Sequence, residues 1–277
     1  MFLVFDLGGT KMRIALSADT NELDQLRIFK TPRTYEDGLQ FLRAFAEEYK
    51  GSQKLDAVCG GLAGSFNREK SVLLNGVHIA SWVERPVKQD LENIFCAPVY
   101  LENDAALTGL GEAVFGAGKN YEIVVYLTVS TGVGGARITN GKIDISAMGF
   151  EPGYQIIDAG RCLSPDRDVR RLGAHISGKS LERHFGIPAS QIKDPGVWEK
   201  IGQFLAIGLS NTIVHWSPDI VILGGSVMQS ISLDVVREHL KETLKPFPEA
   251  PLIVKAMLGD VGGLWGGIAR LQALDRF

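Results

Sequence analysis

The sequence predicts an α/β protein of two duplicated lobes with a cleft between them, on three observations. Short β-rich runs alternate with amphipathic segments, the pattern of strands and helices layered around a core. The alternation is written twice, and each copy opens with a strand, a glycine turn and a second strand. The chain has 277 residues, 45% apolar and 22% charged, enough for two units with ordinary cores.

Residues 2–6 (FLVFD) form an apolar strand, residues 12–16 (MRIAL) a second, and residues 26–31 a third. Their tight connections predict an antiparallel meander. Leu39, Leu42, Phe45, Ala46 and Tyr49 recur at helical spacing over residues 36–50. Residues 54–60 read as a strand, 87–95 as a helix, and 98–101 as a strand running into Glu102-Asn103-Asp104. Residues 105–115, rich in small side chains, continue as a helix. The pattern then restarts with a strand at 123–129, a glycine turn at 130–135, and strands at 136–139 and 142–145. A helix over 198–215, a buried strand over 218–223, a Gly224-Gly225 corner into another helix, a strand over 252–256 and a closing helix over 262–274 complete it. The division that follows is a first lobe of residues 1–104, completed by the closing helix (262–277), and a second of residues 105–261.

Composition narrows the function. The net charge is −3 and no run of Lys or Arg could track a phosphate backbone, so nucleic acid and anionic membrane are poor partners. No apolar stretch approaches the roughly 18 residues of a membrane span. The opening MFLVFD lacks a basic segment and reads as a strand, not a signal peptide. Cys59, Cys96 and Cys162 are far apart and form no CxxC pair, which points to a reducing, cytoplasmic setting. His78, His175, His184, His215 and His239 lack metal-ligand spacing and read as surface or structural residues. The mixed-charge run Asp166, Arg167, Asp168, Arg170 and Arg171 reads as a solvated loop.

Three glycine turns and one carboxylate carry the chemistry. Asp6-Leu7-Gly8-Gly9-Thr10-Lys11 joins two strands, which excludes the dinucleotide fingerprint and the P-loop, whose turns feed helices. A glycine pair lets backbone N–H groups approach an anion, and Thr10 and Lys11 add donors. Asp6, at a strand end, suits a Mg²⁺ ion held through water. Alone, this turn is also compatible with a plain hairpin. The second turn, Ser130-Thr131-Gly132-Val133-Gly134-Gly135, repeats it in the other lobe, and two facing turns can hold a polyphosphate between them. The third, Gly224-Gly225-Ser226 after an apolar strand, fits a nucleoside site or a tight corner. Asp104 ends a strand and starts a helix whose dipole favours an ionised carboxylate, as a base requires; a simple helix cap is the alternative.

Taken together, DLGGTK, LENDAALTGLGE, VSTGVGG, VILGGS and the ending GLWGGIARL resemble the ROK family of repressors, open reading frames and sugar kinases, over essentially the whole chain. The resemblance implies two actin-like ATPase (ribonuclease H-like) lobes and an ATP- and Mg²⁺-dependent kinase of a hexose or N-acetylhexosamine, acting at the 6-hydroxyl. It makes Asp104 the general base and Gly8, Gly9, Thr10, Lys11, Thr131, Gly132 and Gly134 the phosphate site, with Gly224 and Gly225 at the adenosine. Sugar contacts would come from Gly64, Asn75, Asn103, Asp104, Glu151 and Tyr154, with Trp82 packing nearby. The family is commonly dimeric, which implies a homodimer.

Two departures stand out. Tyr154 and Gly173 occupy positions where the family carries a sugar-binding His and Glu. The family's zinc cluster is reduced to Cys162, and a closed zinc site needs four N or S ligands, so no structural zinc is expected. These departures leave two alternatives, a non-catalytic sugar or nucleotide sensor and a kinase of a non-standard sugar. Retention of Asp104 favours an active kinase over the sensor, since a decayed kinase has no reason to keep a base.

Overall fold

The computed structural model describes residues 1–49, 51, 53–76, 78–160, 170–247 and 249–274. Strand β1 (Phe2–Leu7) is apolar along almost its whole length and is buried on both faces, as only an interior strand can be. It pairs antiparallel with β2 (Lys11–Ser17), which pairs with β3 (Asp24–Lys30), the expected meander. After helix α1 (Tyr35–Tyr49) the chain returns as β4 (Ala57–Leu62), parallel to β1. A short antiparallel pair, β5 (Ser65–Phe66) and β6 (Leu73–Asn75), leads to α2 (Val87–Phe95), and β7 (Val99–Asn103) completes a sheet of order β3-β2-β1-β4-β7. Helix α3 (Asp104–Val114) follows without a loop.

The second half repeats the scheme with β8 (Ile123–Val129), β9 (Val133–Thr139) and β10 (Lys142–Ile143). Then come α4 (Leu172–Ile176), α5 (Gly178–Phe185), α6 (Pro195–Trp216), β11 (Ile220–Gly224), α7 (Leu233–Thr243), β12 (Leu252–Lys255) and α8 (Gly262–Gln272). The sheet order is β10-β9-β8-β11-β12, the same arrangement as the first.

Several elements depart from the sequence reading. Strand β9 starts at Val133, not at 136: Gly134 and Gly135 pair with Thr128 and Leu127, so the second turn shrinks to Ser130–Gly132. The β5–β6 pair and helices α4 and α5 are too short for periodicity to reveal. The corner after Gly225 enters a 3-10 turn, Ser226–Gln229, before α7.

Each sheet has its own apolar core, and a third lies between the sheets around α3 and α8. These two helices touch backbone to backbone. A Cβ on Gly266 would sit 1.7 Å from the Leu107 carbonyl oxygen, and one on Gly111 would sit 2.4 Å from that of Gly262. Glu112, fully buried on α3, accepts from the Leu258 N–H at 2.7 Å and the Ala117 N–H at 3.0 Å. It ties the loop entering α8 to the end of α3 and satisfies donors that burial would otherwise leave unpaired. No described helix is long and apolar enough to cross a membrane.

Candidate active site

Parallel strands β1, β4, β7, β8 and β11 all end toward one cleft of about 860 Å³, as open α/β sheets direct their ligands. The first glycine turn forms one wall. Gly8 N–H donates to the Lys11 carbonyl at 3.0 Å, and the Thr31 hydroxyl donates to the Gly8 carbonyl at 2.6 Å, which leaves the top of the turn facing the opening. The second turn closes on itself through Ser130 N–H to the Gly132 carbonyl at 2.9 Å. It is braced by Gly178 N–H, from the start of α5, to the Ser130 carbonyl at 2.7 Å. Gly224 and Gly225 complete the far end, with Gly225 at φ +93.

The floor holds the carboxylates. β1 and β2 place Asp6 directly opposite Arg13, and an Arg13 Nη1 donates to Asp6 Oδ2 at 3.1 Å. Arg13 also reaches Asp260 at 3.1 Å, and Lys11 Nζ donates to Asp260 at 2.9 Å. Asp104 is the first residue of α3 and accepts from its neighbour Ala105 N–H at 2.8 Å. Asn103 is the cap of α3: its carbonyl accepts from Ala106 N–H at 3.0 Å and its amide donates to the Gly64 carbonyl at 3.0 Å. Asn103 therefore joins the helix start to the β5–β6 pair while lining the cleft. That pair sets Ser65 against Asn75, and Gly64 passes so close that a Cβ there would lie 1.9 Å from the Asn75 carbonyl oxygen.

Burial governs the protonation of this floor. The Asp6 carboxyl is pushed up to about 7, first by burial and then by the Asp104 charge, against the pull of Arg13. Burial also raises Asp104, and the Ala105 N–H only partly offsets it. This desolvation opposes the helix-start dipole, which favours the ionised carboxylate. Glu151 is raised by burial and then by Asp104. Buried carboxylates crowded in this way fit a hard divalent cation. Among the described residues no group of three or more His, Cys, Asp or Glu could hold a metal.

The raised Asp6 has a measurable consequence. More protons are bound in the folded than in the unfolded state, so its contribution is fully present below the usual value of 3.8 and is lost as pH rises through about 7. Without nucleotide, the Tm of the wild type should fall between about pH 5.5 and about 8.5 more than that of Asp6→Asn. Thermal melts check this, and parallel falls in the two proteins would contradict it.

The cleft collects the residues expected from the sequence: Asp6, Gly8, Gly9, Thr10, Lys11, Gly64, Asn75, Asn103, Asp104, Thr131, Gly132, Gly134, Glu151, Tyr154, Gly224 and Gly225 all line it. Tyr154 is about half exposed, and the Arg171 guanidinium lies 4.8 Å from its ring centre, so Arg171 is not merely a solvated charge. Trp82, expected to pack near the sugar segment, fills the first core, fully buried edge-on to Tyr35 at 4.9 Å and against Gly38. Gly173 stands behind the wall, where a Cβ would meet the Gly153 carbonyl oxygen at 3.2 Å. Cys162, with Asp166, Arg167 and Asp168, lies outside the described residues.

His78 is a correction. Read as surface or structural, it lines the cleft between the two glycine turns. Arg13, Ser65 and Asp260 were also missed. Arg13 had a signal, since two strands joined at Gly8-Gly9 set it opposite Asp6. His78 had one too, three residues after Asn75, whereas Asp260 reaches the site through long-range folding and had none.

The family model described as the ROK family matches residues 3–273. The N-acetyl-D-glucosamine kinase of Mannheimia succiniciproducens is 28% identical over 303 residues, covering 97% of this chain and 98% of that protein. The crystal structure of a ROK hexokinase from Thermus thermophilus superposes with a TM-score of 0.83 at 27% identity, covering 99% of each chain. A ROK family glucokinase from Streptomyces griseus, in complex with glucose and AMPPNP, gives a TM-score of 0.80 at 24% identity over 98% of each chain. A family match over nearly the whole length, with the actin-like lobes and their cleft, places this chain in the ROK family.

Proposed function

We propose that this ROK protein is a sugar kinase that transfers the γ-phosphoryl group of ATP to the 6-hydroxyl of a hexose or N-acetylhexosamine. The observation that carries the reading is that two facing glycine turns, one from each half, share a cleft with Asp104. Phosphoryl transfer asks the protein mainly for positioning and charge neutralisation, and for a base when the acceptor is a hydroxyl. Asp104 takes the hydroxyl proton, the sugar oxygen attacks the γ-phosphorus, and ADP leaves. The turn residues Gly8, Gly9, Thr10 and Lys11, with Thr131, Gly132 and Gly134, hold the phosphates, and Gly224-Gly225 borders the adenosine. Mg²⁺, bound at Asp6 with the phosphates, would neutralise their charge. Gly64, Asn75, Asn103, Glu151 and Tyr154 bind the sugar. The two lobes this requires, residues 1–104 with the closing helix and residues 105–261, meet at α3 and α8. The kinase activities in the names of the Mannheimia and Thermus relatives support the reading.

The test is ADP release with Mg·ATP across hexoses, amino sugars and N-acetylated sugars. Turnover that depends on one of these sugars is the expected result. ATP binding without turnover on any of them would favour a non-catalytic sensor.

A further inference from the structure

We propose that His78 is a phosphate-binding residue of the transfer site, donating from its imidazole to the terminal phosphate of the nucleotide across the gap between the two glycine turns. This rests on the cleft being an ATP site and adds a residue to it. The ring is anchored against the first turn, where a Cβ on Gly9 would lie 2.5 Å from the Cβ of His78. Its other end faces the second turn: the nearest atom to a Cβ on Gly132 is the Nε2 of His78, at 3.8 Å. The imidazole thus spans the space between two sets of backbone donors that belong to different sheets.

Three further observations point to a ligand. The imidazole is partly buried and makes no hydrogen bond or ion pair with any described residue, so its polar edge is unspent. Burial and the charge of Lys179 hold it below its ordinary pKa, and a phosphate between them would reverse that field. Lys179 belongs to the second half, where its N–H donates to the Thr131 carbonyl at 3.3 Å. His78 also lines a second recess of about 330 Å³, edged by Lys30 and Arg33, whose cations suit an anion close to the ring. A residue that only sealed the Gly9 turn would need none of these features.

The terminal phosphate is what distinguishes the two roles. Calorimetric binding of Mg·AMPPNP and Mg·ADP to the full chain should be compared for wild type, His78→Ala, His78→Phe and His78→Gln. Phe keeps a ring against Gly9 without a donor, and Gln keeps a donor without a ring. Loss of one hydrogen bond to a charged oxygen predicts AMPPNP binding weakened about tenfold or more in His78→Ala or His78→Phe, whichever folds, with ADP within about twofold. Gln should recover most of the loss. Equal effects on both nucleotides, or none, would overturn the assignment and leave the kinase reading intact. Failure of the wild type to bind either nucleotide would overturn both. A wild type that binds both nucleotides but phosphorylates no sugar would remove the kinase reading, and the His78 comparison would still decide this one.

Discussion

Asp104→Asn should lower sugar-dependent ADP release by about a thousandfold, the middle of the range for general-base catalysis, while nucleotide affinity stays within a few-fold. The side chain keeps its shape and can still accept from Ala105 N–H, so the start of α3 is preserved. What disappears is the capacity to take a proton. Removing the charge also relieves Asp6 and Glu151, both raised by Asp104. Mg·ATP binding should therefore be equal or slightly tighter. Single-turnover rates and calorimetry on the same preparation separate the two quantities. Turnover retained, or nucleotide binding lost, would remove Asp104 as the base.

Gly266→Ala should destabilise the folded chain by about 3 kcal/mol or more, at the upper end for overpacking. The added methyl would fall 1.7 Å from a carbonyl oxygen of α3, and neither helix backbone can yield without disturbing the core around it. The urea midpoint should drop with little change in slope. Gly132→Ala is the control, since nothing lies closer to its Cβ than the Nε2 of His78 at 3.8 Å. A Gly266→Ala protein as stable as the control would mean that α3 and α8 are not packed as described.

How far the sequence could be read depended on whether the forces were local. Alternation and apolar runs located β1, β2 and β8 to within a residue or so, because burial on both faces writes itself into consecutive residues. The glycine turns and Asp104 were legible because strand, turn and helix start are adjacent in the chain. Gly134 and Gly135 were misread as turn because a glycine tolerated inside a strand looks the same as one that bends it. Trp82 was legible only as packing near the sugar segment, and its neighbours Tyr35 and Gly38 show that it does so from the core. Asp260 enters the site from a segment remote in sequence from the strands it faces, and Lys11 gave no hint that Asp260 would be its partner.

The charges around the cleft are nearly balanced. Asp6, Asp104, Glu151 and Asp260 stand against Lys11, Arg13 and Lys255. Such a surface offers no long-range attraction to a tetra-anionic nucleotide, so encounter is not steered and ionic strength has little leverage on it. Lys11 and Arg13 are paired with Asp260, so a phosphate binding there, as proposed, would compete with that internal carboxylate. A weakly charged anion loses that competition, whereas a polyphosphate arriving with its own cation replaces one ion pair by several. On the proposed function, discrimination against simple anions would be set before any sugar binds, by a partner exchange that favours a multiply charged ligand.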